Sequence, residues 1–202
     1  MTTRRRGAVR IRASDLAYNG LCPLSAKSRQ QLTTRKGDVM LAEVRDQALD
    51  TLRRCASREQ IMDLQDRMLS MLRELGIRHT PGNTDDICPV THHFAPGLYA
   101  REILLPAGTI IVGKIHRHAH VNTISMGRVV VATEFGTTEM AAPCTFVSKP
   151  GTKRAVVALE DTIWTTYHPT DETDLERIEE HVIAPTFEEY ERDRLDLQRG
   201  MQ

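Results

Sequence analysis

The pattern of apolar and polar positions divides the chain into a helical part, a strand part and a polar tail. Between residues 38 and 75, apolar side chains recur at steps of three and four, which is the period of an amphipathic helix. Between residues 92 and 168, short runs rich in β-branched residues alternate with turn residues, as in antiparallel β proteins. After Pro169 polar and acidic residues dominate.

The helical part is predicted to be a hairpin of two helices. The first begins after Gly37-Asp38, and the second follows Ser57, where Gln60 stands three residues later as in a capping box. Gly76 lies where a helix C-cap is expected. The apolar stripes of these helices could pack on the β part or on another copy of the chain.

The β part contains eight candidate strands. No connection between them is long enough for a crossover helix, so antiparallel pairing is expected. Eight short strands favour a closed or nearly closed antiparallel barrel or jelly roll, which makes the fold class mainly β. The strands are Leu98–Leu105, Thr109–Ile115, His118–Ser125, Arg128–Glu134, Thr137–Met140, Cys144–Val147, Ala155–Leu159 and Asp161–Tyr167.

The tail is predicted to hold two short helices. Thr173 and Thr186 are each followed three residues later by a glutamate, which is the capping-box spacing, and Pro185 separates the two segments. The chain is thus divided into a basic arm with an irregular segment (1–36), a helical hairpin (37–76), a linker (77–91), a β-barrel (92–168) and an acidic helical tail (169–202).

Charge is distributed unevenly although the formal net charge is zero. The first segment is strongly basic, with Arg4-Arg5-Arg6 at its start, and the tail is strongly acidic. No aromatic residue is interleaved with these arginines, so sequence-specific nucleic-acid binding is disfavoured and contact with protein is favoured. Alternatively, the basic arm is a solvated terminus that contacts nothing. If it does contact protein, head-to-tail association between subunits would use both the basic arm and the acidic tail.

Cysteine usage and hydropathy indicate the cellular compartment in which the protein is expected. The four cysteines are far apart and form no CxxC pair, which excludes a zinc-finger pattern and does not suggest a disulfide framework. The N-terminus lacks the apolar stretch of a signal peptide, and no apolar run reaches the length of a membrane span. We expect synthesis in a reducing cytoplasm and no membrane association.

Three histidines at alternate positions are the candidate metal ligands. His116, His118 and His120 would face the same side of one strand, because side chains alternate along a strand. The backbones of His116 and His118 would be roughly 7 Å apart, and those of His116 and His120 roughly 13 Å apart, so a single ion needs a bend or another ligand. Candidates for that ligand are His92, His93 and His168. Alternatively, the imidazoles line a polar barrel mouth or a subunit interface without metal.

Residues 92–168 resemble the cupins, small jelly-roll barrels with two sequence signatures. His116-Arg117-His118 resembles the His-x-His pair of the first signature and Gly127 its closing glycine, while Pro150-Gly151 stands where the second signature lies. The resemblance implies a jelly-roll barrel with a metal site. Asn122 or Thr123 replaces the glutamate of that site, and Arg154 replaces its third histidine, which puts a permanent positive charge where a cation would bind.

Arg154 is also a candidate ligand-binding residue. A guanidinium projecting into a barrel lined by histidines could hold a carboxylate, a phosphate or a sugar acid through a bidentate fork. Asn122 and His168 are the other candidate ligand-binding residues. Alternatively, Arg154 forms an ion pair at the barrel rim with Glu134, Glu160 or Asp161.

Four runs are similar to a narrower group, the small cupin proteins encoded by tailed bacteriophages. The resemblance implies a phage origin and proximity to particle or tail components, and it does not extend to the arm or the hairpin. The runs are Thr91–Glu102, Val112–His116, Pro150–Arg154 and Asp161–His168.

The favoured function is a non-enzymatic structural or assembly subunit of a tailed-phage particle, associated with the tail or portal. We assign no catalytic residue, and we expect self-association and contacts with other phage structural proteins, in the host cytoplasm during synthesis and then in the virion. The alternatives are a metal-dependent cupin enzyme with one divalent transition metal, and a barrel that binds an anionic ligand or a sugar. No GxSxG, Walker-type or GxGxxG motif supports a hydrolase or a nucleotide site.

Overall fold

A computed structural model describes residues 46–47, 49–74 and 88–200. The basic arm, the start of the first predicted helix, Gly76 and residues 77–87 of the predicted linker lie outside the described residues. Residues 49–54 are helical. The elements that follow are α1 (Arg58–Glu74), β1 (Val90–Ala95), β2 (Leu98–Leu105), β3 (Ile110–Val112), β4 (Ile115–His116), β5 (His120–Met126), β6 (Arg128–Thr133), β7 (Gly136–Ala141), β8 (Cys144–Ser148), β9 (Ala155–Ala158), β10 (Thr162–His168), α2 (Leu175–Val182), β11 (Ile183–Ala184) and α3 (Phe187–Gly200).

Two antiparallel sheets form the body of the molecule. One has the strand order β1-β2-β10-β5-β8 and the other the order β3-β9-β6-β7, while β4 pairs with β11. The core between the sheets takes Ile103, Ile124 and Trp164 from the first sheet and Val129 and Val156 from the second. The fold is a jelly-roll barrel. This confirms the predicted mainly β class with helices at both ends.

The strand prediction differs from the structure at three places. Strands β1 and β11 were not predicted, and β1 begins at Val90, inside the predicted linker. The predicted strand Thr109–Ile115 is split into β3, which pairs with β9, and β4, which pairs with β11. The chain changes its pairing partner after Gly113, whose N–H still donates in register to the carbonyl of Arg154 at 2.7 Å.

The helical segment packs on the outer face of the four-stranded sheet. Leu52, Cys55, Ile61 and Leu64 form one buried cluster with sheet residues that include Val157. The sequence left open whether the apolar stripes of the helices pack on the β part or on another copy of the chain. In the structure they pack on the chain's own barrel. The Ser57 half of the capping box is confirmed, since the N–H of Gln60 donates to Ser57 Oγ at 3.3 Å. The Gln60 side chain accepts from the N–H of Ala56 at 2.7 Å rather than from that of Ser57.

The tail folds back onto the barrel. Helix α2 is capped by Asp174 rather than by Thr173, because Asp174 is extended and its carboxylate accepts from the two N–H groups of Glu176 and Arg177. Helix α3 is capped as predicted, with the N–H of Glu189 donating to Thr186 Oγ1 at 3.2 Å. None of the described helices is both long and apolar enough to cross a membrane.

Candidate functional site

The inner face of the five-stranded sheet carries three layers of side chains, which the strand register defines. Ile103, Trp164 and Ile124 are aligned in the apolar core layer. Side chains that are two residues apart along a strand point to the same face of the sheet. The next layer therefore contains Arg101, Thr166 and Asn122, and the layer nearest the barrel mouth contains Tyr99, His168 and His120.

Three histidines meet at the mouth. The ring centroids of His116 and His120 are 4.0 Å apart, those of His116 and His168 are 5.3 Å apart, and those of His120 and His168 are 5.1 Å apart. His116 is on β4, His120 begins β5, and His168 ends β10. The cluster therefore brings His168, predicted as a ligand-binding residue, together with His116 and His120, predicted as metal ligands.

His118 does not join this cluster. Strand β4 ends at His116, so the three histidines do not share one straight strand, and the ring of His118 lies 5.1 Å from that of His181 on α2. The break is held by Arg117, whose N–H donates to the carbonyl of Val182 at 2.8 Å. The pair His116 and His118 predicted from their spacing is thus replaced by the pair His116 and His120.

The other two histidines considered as additional ligands are also outside the cluster. Nδ1 of His92 is 2.7 Å from the hydroxyl of Tyr99, whose ring stacks on His168 at 6.1 Å. His93 faces the opposite side of the sheet, where its Nε2 is 4.0 Å from Glu102.

The clustered imidazoles are neutral at physiological pH. Burial, and then the charges of His120, His168 and the nearby arginines, lower the pKa of His116 from 6.5 to about 2. Burial and the neighbouring His120 lower the pKa of His168 to about 4. Burial also lowers the pKa of His120.

Two buried ring nitrogens in the cluster have no hydrogen-bond partner, namely Nδ1 of His116 and Nε2 of His120. Nδ1 of His120 is 3.2 Å from the carbonyl of His118, which assigns the proton of the neutral ring to Nδ1. Nε2 of His120 is then a hydrogen-bond acceptor inside the barrel.

Arg154 is held by a polar network instead of a carboxylate. Its guanidinium donates to Ser148 Oγ, which also accepts from Asn122 Nδ2 at 2.6 Å. Asn122 Oδ1 in turn accepts from Trp164 Nε1 at 3.0 Å. Burial lowers the pKa of Arg154 to about 10. Within the described part of the chain, no carboxylate forms an ion pair with Arg154.

The three rim carboxylates considered as partners of Arg154 are bound elsewhere. Glu134 pairs with Arg58, and Glu160 pairs with Arg128. Asp161 accepts from the N–H of Ala107 at 2.9 Å.

Sequence reasoning did not identify Arg101 as a site residue. It lies on β2 two positions before the core residue Ile103, and this spacing is the signal that places it on the inner face. Its charge contributes to the lowered pKa values of His116 and His168. Arg101 also has no ion-pair partner among the described residues.

A cavity of about 360 Å³ opens beside the cluster. It shares His168 with the cluster and is bordered by the exposed pair His118 and His181. Its volume lies within the range of small-molecule sites, which is about 300–1,000 Å³.

The arrangement does not fit a metal centre. Neutral imidazoles are suitable donors, but these rings stack on one another, and no three His, Cys, Asp or Glu side chains in the described ranges are arranged to hold an ion. The guanidinium charges of Arg101 and Arg154 act on the same ring, His116, and oppose binding of a cation there.

The barrel is similar to solved structures. KdgF from Halomonas sp. is 18% identical with a TM-score of 0.38, over 44% of this chain and 84% of that one. An RmlC-like cupin from Shewanella frigidimarina NCIMB 400 is 21% identical with a TM-score of 0.37, over 43% and 79%. Salicylate 1,2-dioxygenase from Pseudaminobacter salicylatoxidans is 15% identical with a TM-score of 0.41, over 59% and 36%. No protein-family model and no curated protein matches the sequence.

Proposed function

We propose that this chain is a non-enzymatic, cupin-fold structural subunit of a tailed-phage particle, associated with the tail or portal. We propose further that it self-associates through the outer face and the β8 edge of its five-stranded sheet. The outer face carries the observation on which the proposal depends. The four sequence runs similar to phage-encoded cupins support the particle context.

On β5 and β8, the outer face presents apolar and hydroxyl side chains where a solvated sheet would carry charges. Val147 is 66% exposed and pairs in register with Val121, which is 41% exposed. In the next pair, the hydroxyls of Thr123 and Thr145 are 3.2 Å apart. Exposed apolar residues that are contiguous in this way mark interaction surfaces more often than solvated ones.

Strand β8 is also an unprotected edge. It ends the order of its sheet, and its sequence Cys144–Ser148 contains no charged residue and no proline. Natural edge strands usually carry such residues to prevent pairing with another chain. A second copy placed antiparallel along β8 would satisfy the free backbone groups and cover Val147 around a twofold axis.

Light scattering coupled to size exclusion tests this proposal on the full chain. We expect a multimer whose dissociation constant rises at least about tenfold in Val147→Lys, because a lysine on the edge opposes strand pairing. Leu197→Lys is the matched control, since Leu197 is 64% exposed and lies on α3 instead of on a strand of the sheet. A wild-type monomer at high concentration, or an unchanged multimer in Val147→Lys, would overturn the proposed interface.

Metal analysis tests whether the chain is non-enzymatic, and cross-linking in purified particles tests its place in the particle. Stoichiometric transition metal in the purified protein, lost in the double variant His116→Ala with His120→Ala, would support a metal-dependent enzyme in place of the structural subunit. Cross-links from the barrel to tail or portal proteins in purified particles are the expected result, and absence of the protein from particles contradicts the assignment.

A further inference from the structure

Two arginines on the inner wall of the barrel lack an anionic partner. Arg101 projects from β2. Arg154 lies between β8 and β9 and donates to Ser148 on β8, the edge strand of the same sheet. Within the described ranges neither forms an ion pair, and only Ser148 among side chains accepts a hydrogen bond from Arg154. Cations in a barrel wall are normally paired, because removing a charge from water is costly unless an opposite charge compensates it.

The neighbouring imidazoles do not compensate these charges. His116, His120 and His168 are neutral, and both guanidiniums lie within electrostatic reach of His116. Arg154 donates to Ser148, which pairs with His120. Arg101 lies one layer from Tyr99, which pairs with His168. The two positive charges therefore act on one space beside the histidine cluster. That space favours a ligand with two negative charges.

Each arginine retains N–H donors for such a ligand. A guanidinium carries five N–H groups, and a carboxylate matches two of them in a bidentate pair. Strand β2, which carries Arg101, is separated by β10 and β5 from β8, where Arg154 is held. One compact anion would therefore not meet both forks as well as two separate carboxylates on a short carbon chain.

The unpartnered nitrogen of His120 adds a third requirement. Nε2 is buried and accepts rather than donates, since the proton is assigned to Nδ1. A carboxylate cannot satisfy an acceptor, but a hydroxyl group can. A ligand that carries both acids and a hydroxyl would satisfy all three groups.

We propose that the barrel binds a small hydroxylated dicarboxylate, with one carboxylate on Arg101, the other on Arg154, and the hydroxyl donating to Nε2 of His120. The ligand would enter through the cavity of about 360 Å³ whose lining includes His168. Binding at this site is independent of the proposed self-association, because the outer face of the sheet is not part of it.

Calorimetric titration of the full chain with L-malate and with succinate tests the site. The two acids differ by one hydroxyl, and the protein is first treated with EDTA and dialysed at constant ionic strength. We expect malate to bind about tenfold more tightly than succinate, which corresponds to one good hydrogen bond. His120→Phe keeps a ring in the stack and should bind both acids equally.

The arginine variants provide the second measurement. Arg101→Gln and Arg154→Gln should each weaken malate binding at least about thirtyfold, whereas Arg128→Gln, which removes an exposed cation, should not change it. Without ligand, Arg154→Gln should melt no lower than the wild type, because it removes a cation with no counter-charge.

Four results would overturn the proposal. They are equal affinity for malate and succinate in the wild type, unchanged binding in Arg101→Gln, malate binding that disappears after EDTA treatment, and inorganic phosphate binding as tightly as malate. A ligand-free Arg154→Gln variant much less stable than the wild type would also overturn it, since this would reveal an internal partner for the guanidinium.

Discussion

At the residue scale, the histidine cluster determines how stability depends on pH. In the unfolded chain His168 binds a proton below a pKa of about 6.5, whereas in the barrel burial keeps it neutral down to about pH 4. Between these values the unfolded state binds one proton more than the folded state. The free energy of unfolding therefore falls as the pH falls, by about 1.4 kcal/mol per pH unit for this group.

The variant His168→Gln tests this dependence. From pH 6 to pH 4.5, the slope of unfolding free energy against pH should decrease by about 1.4 kcal/mol per unit relative to the wild type. Urea denaturation at several pH values measures it. The same comparison near pH 8 is the control, because the imidazole is neutral there in both states, and an unchanged acid slope would contradict the buried neutral His168.

Gly151 shows how one residue connects the cluster to the tail. Its N–H donates to the carbonyl of His116 at 2.8 Å, and its φ is +75°. A Cβ atom at this position would lie 2.5 Å from the ring of Tyr190 on α3. The Pro-Gly pair identified from the sequence thus lets α3 approach the strand that carries His116.

At the element scale, α3 and the segment after β4 hold each other in place. Arg117 donates to the carbonyl of Ile183 at 2.9 Å and pairs with Glu189 and Asp193 on α3. Arg58 pairs with Glu191 on the same helix. Part of the acidic charge of the tail is therefore neutralised within the chain.

Replacing Arg117 by methionine should loosen α3 while leaving the barrel folded. The side chain is only 20% exposed, and its loss removes the cation from Asp193 and the nearer of two cations from Glu189. We expect destabilisation of about 1–2 kcal/mol and roughly tenfold faster amide exchange in α3. Hydrogen exchange measures this, with Arg128→Met as the control because its ion pairs lie on β7 and the β9–β10 turn. Unchanged exchange in α3 would contradict this role of Arg117.

At the scale of the whole molecule, the helices before the barrel complete a second core. Leu52 is fully buried and packs with Ile61 against Val130 and Val157 on the outer face of the four-stranded sheet. This sheet is therefore covered on both faces. The five-stranded sheet leaves Val121 and Val147 exposed on its outer face, which is the difference on which the proposed self-association depends.

The change Leu52→Ala tests that second core. A buried leucine reduced to alanine leaves a cavity, so we expect a loss of about 3 kcal/mol in the free energy of unfolding. Urea denaturation measures it, and Leu197→Ala on exposed α3 should remain within about 0.5 kcal/mol of the wild type. A loss below about 1 kcal/mol would mean that the helical segment contributes little to the fold.

Most elements of the barrel could be predicted from the sequence, because strand alternation, turn residues and helix caps are local signals. Strand β2 and the caps at Ser57 and Thr186 are where the sequence predicts them. Strand β11 was missed because its two residues, Ile183 and Ala184, form a strand only through pairing with β4.

The sequence by itself therefore determined a mainly β barrel with helical ends and a histidine-rich segment, since each of these depends on neighbours along the chain. Only the tertiary structure decided which side chains meet. His168 reaches His116 and His120 through the pairing of β10 with β5, Arg101 faces them through the register of β2, and His118 is turned away because α2 and α3 hold the chain at Arg117. These contacts depend on strand register and helix docking, which no local pattern of residues specifies.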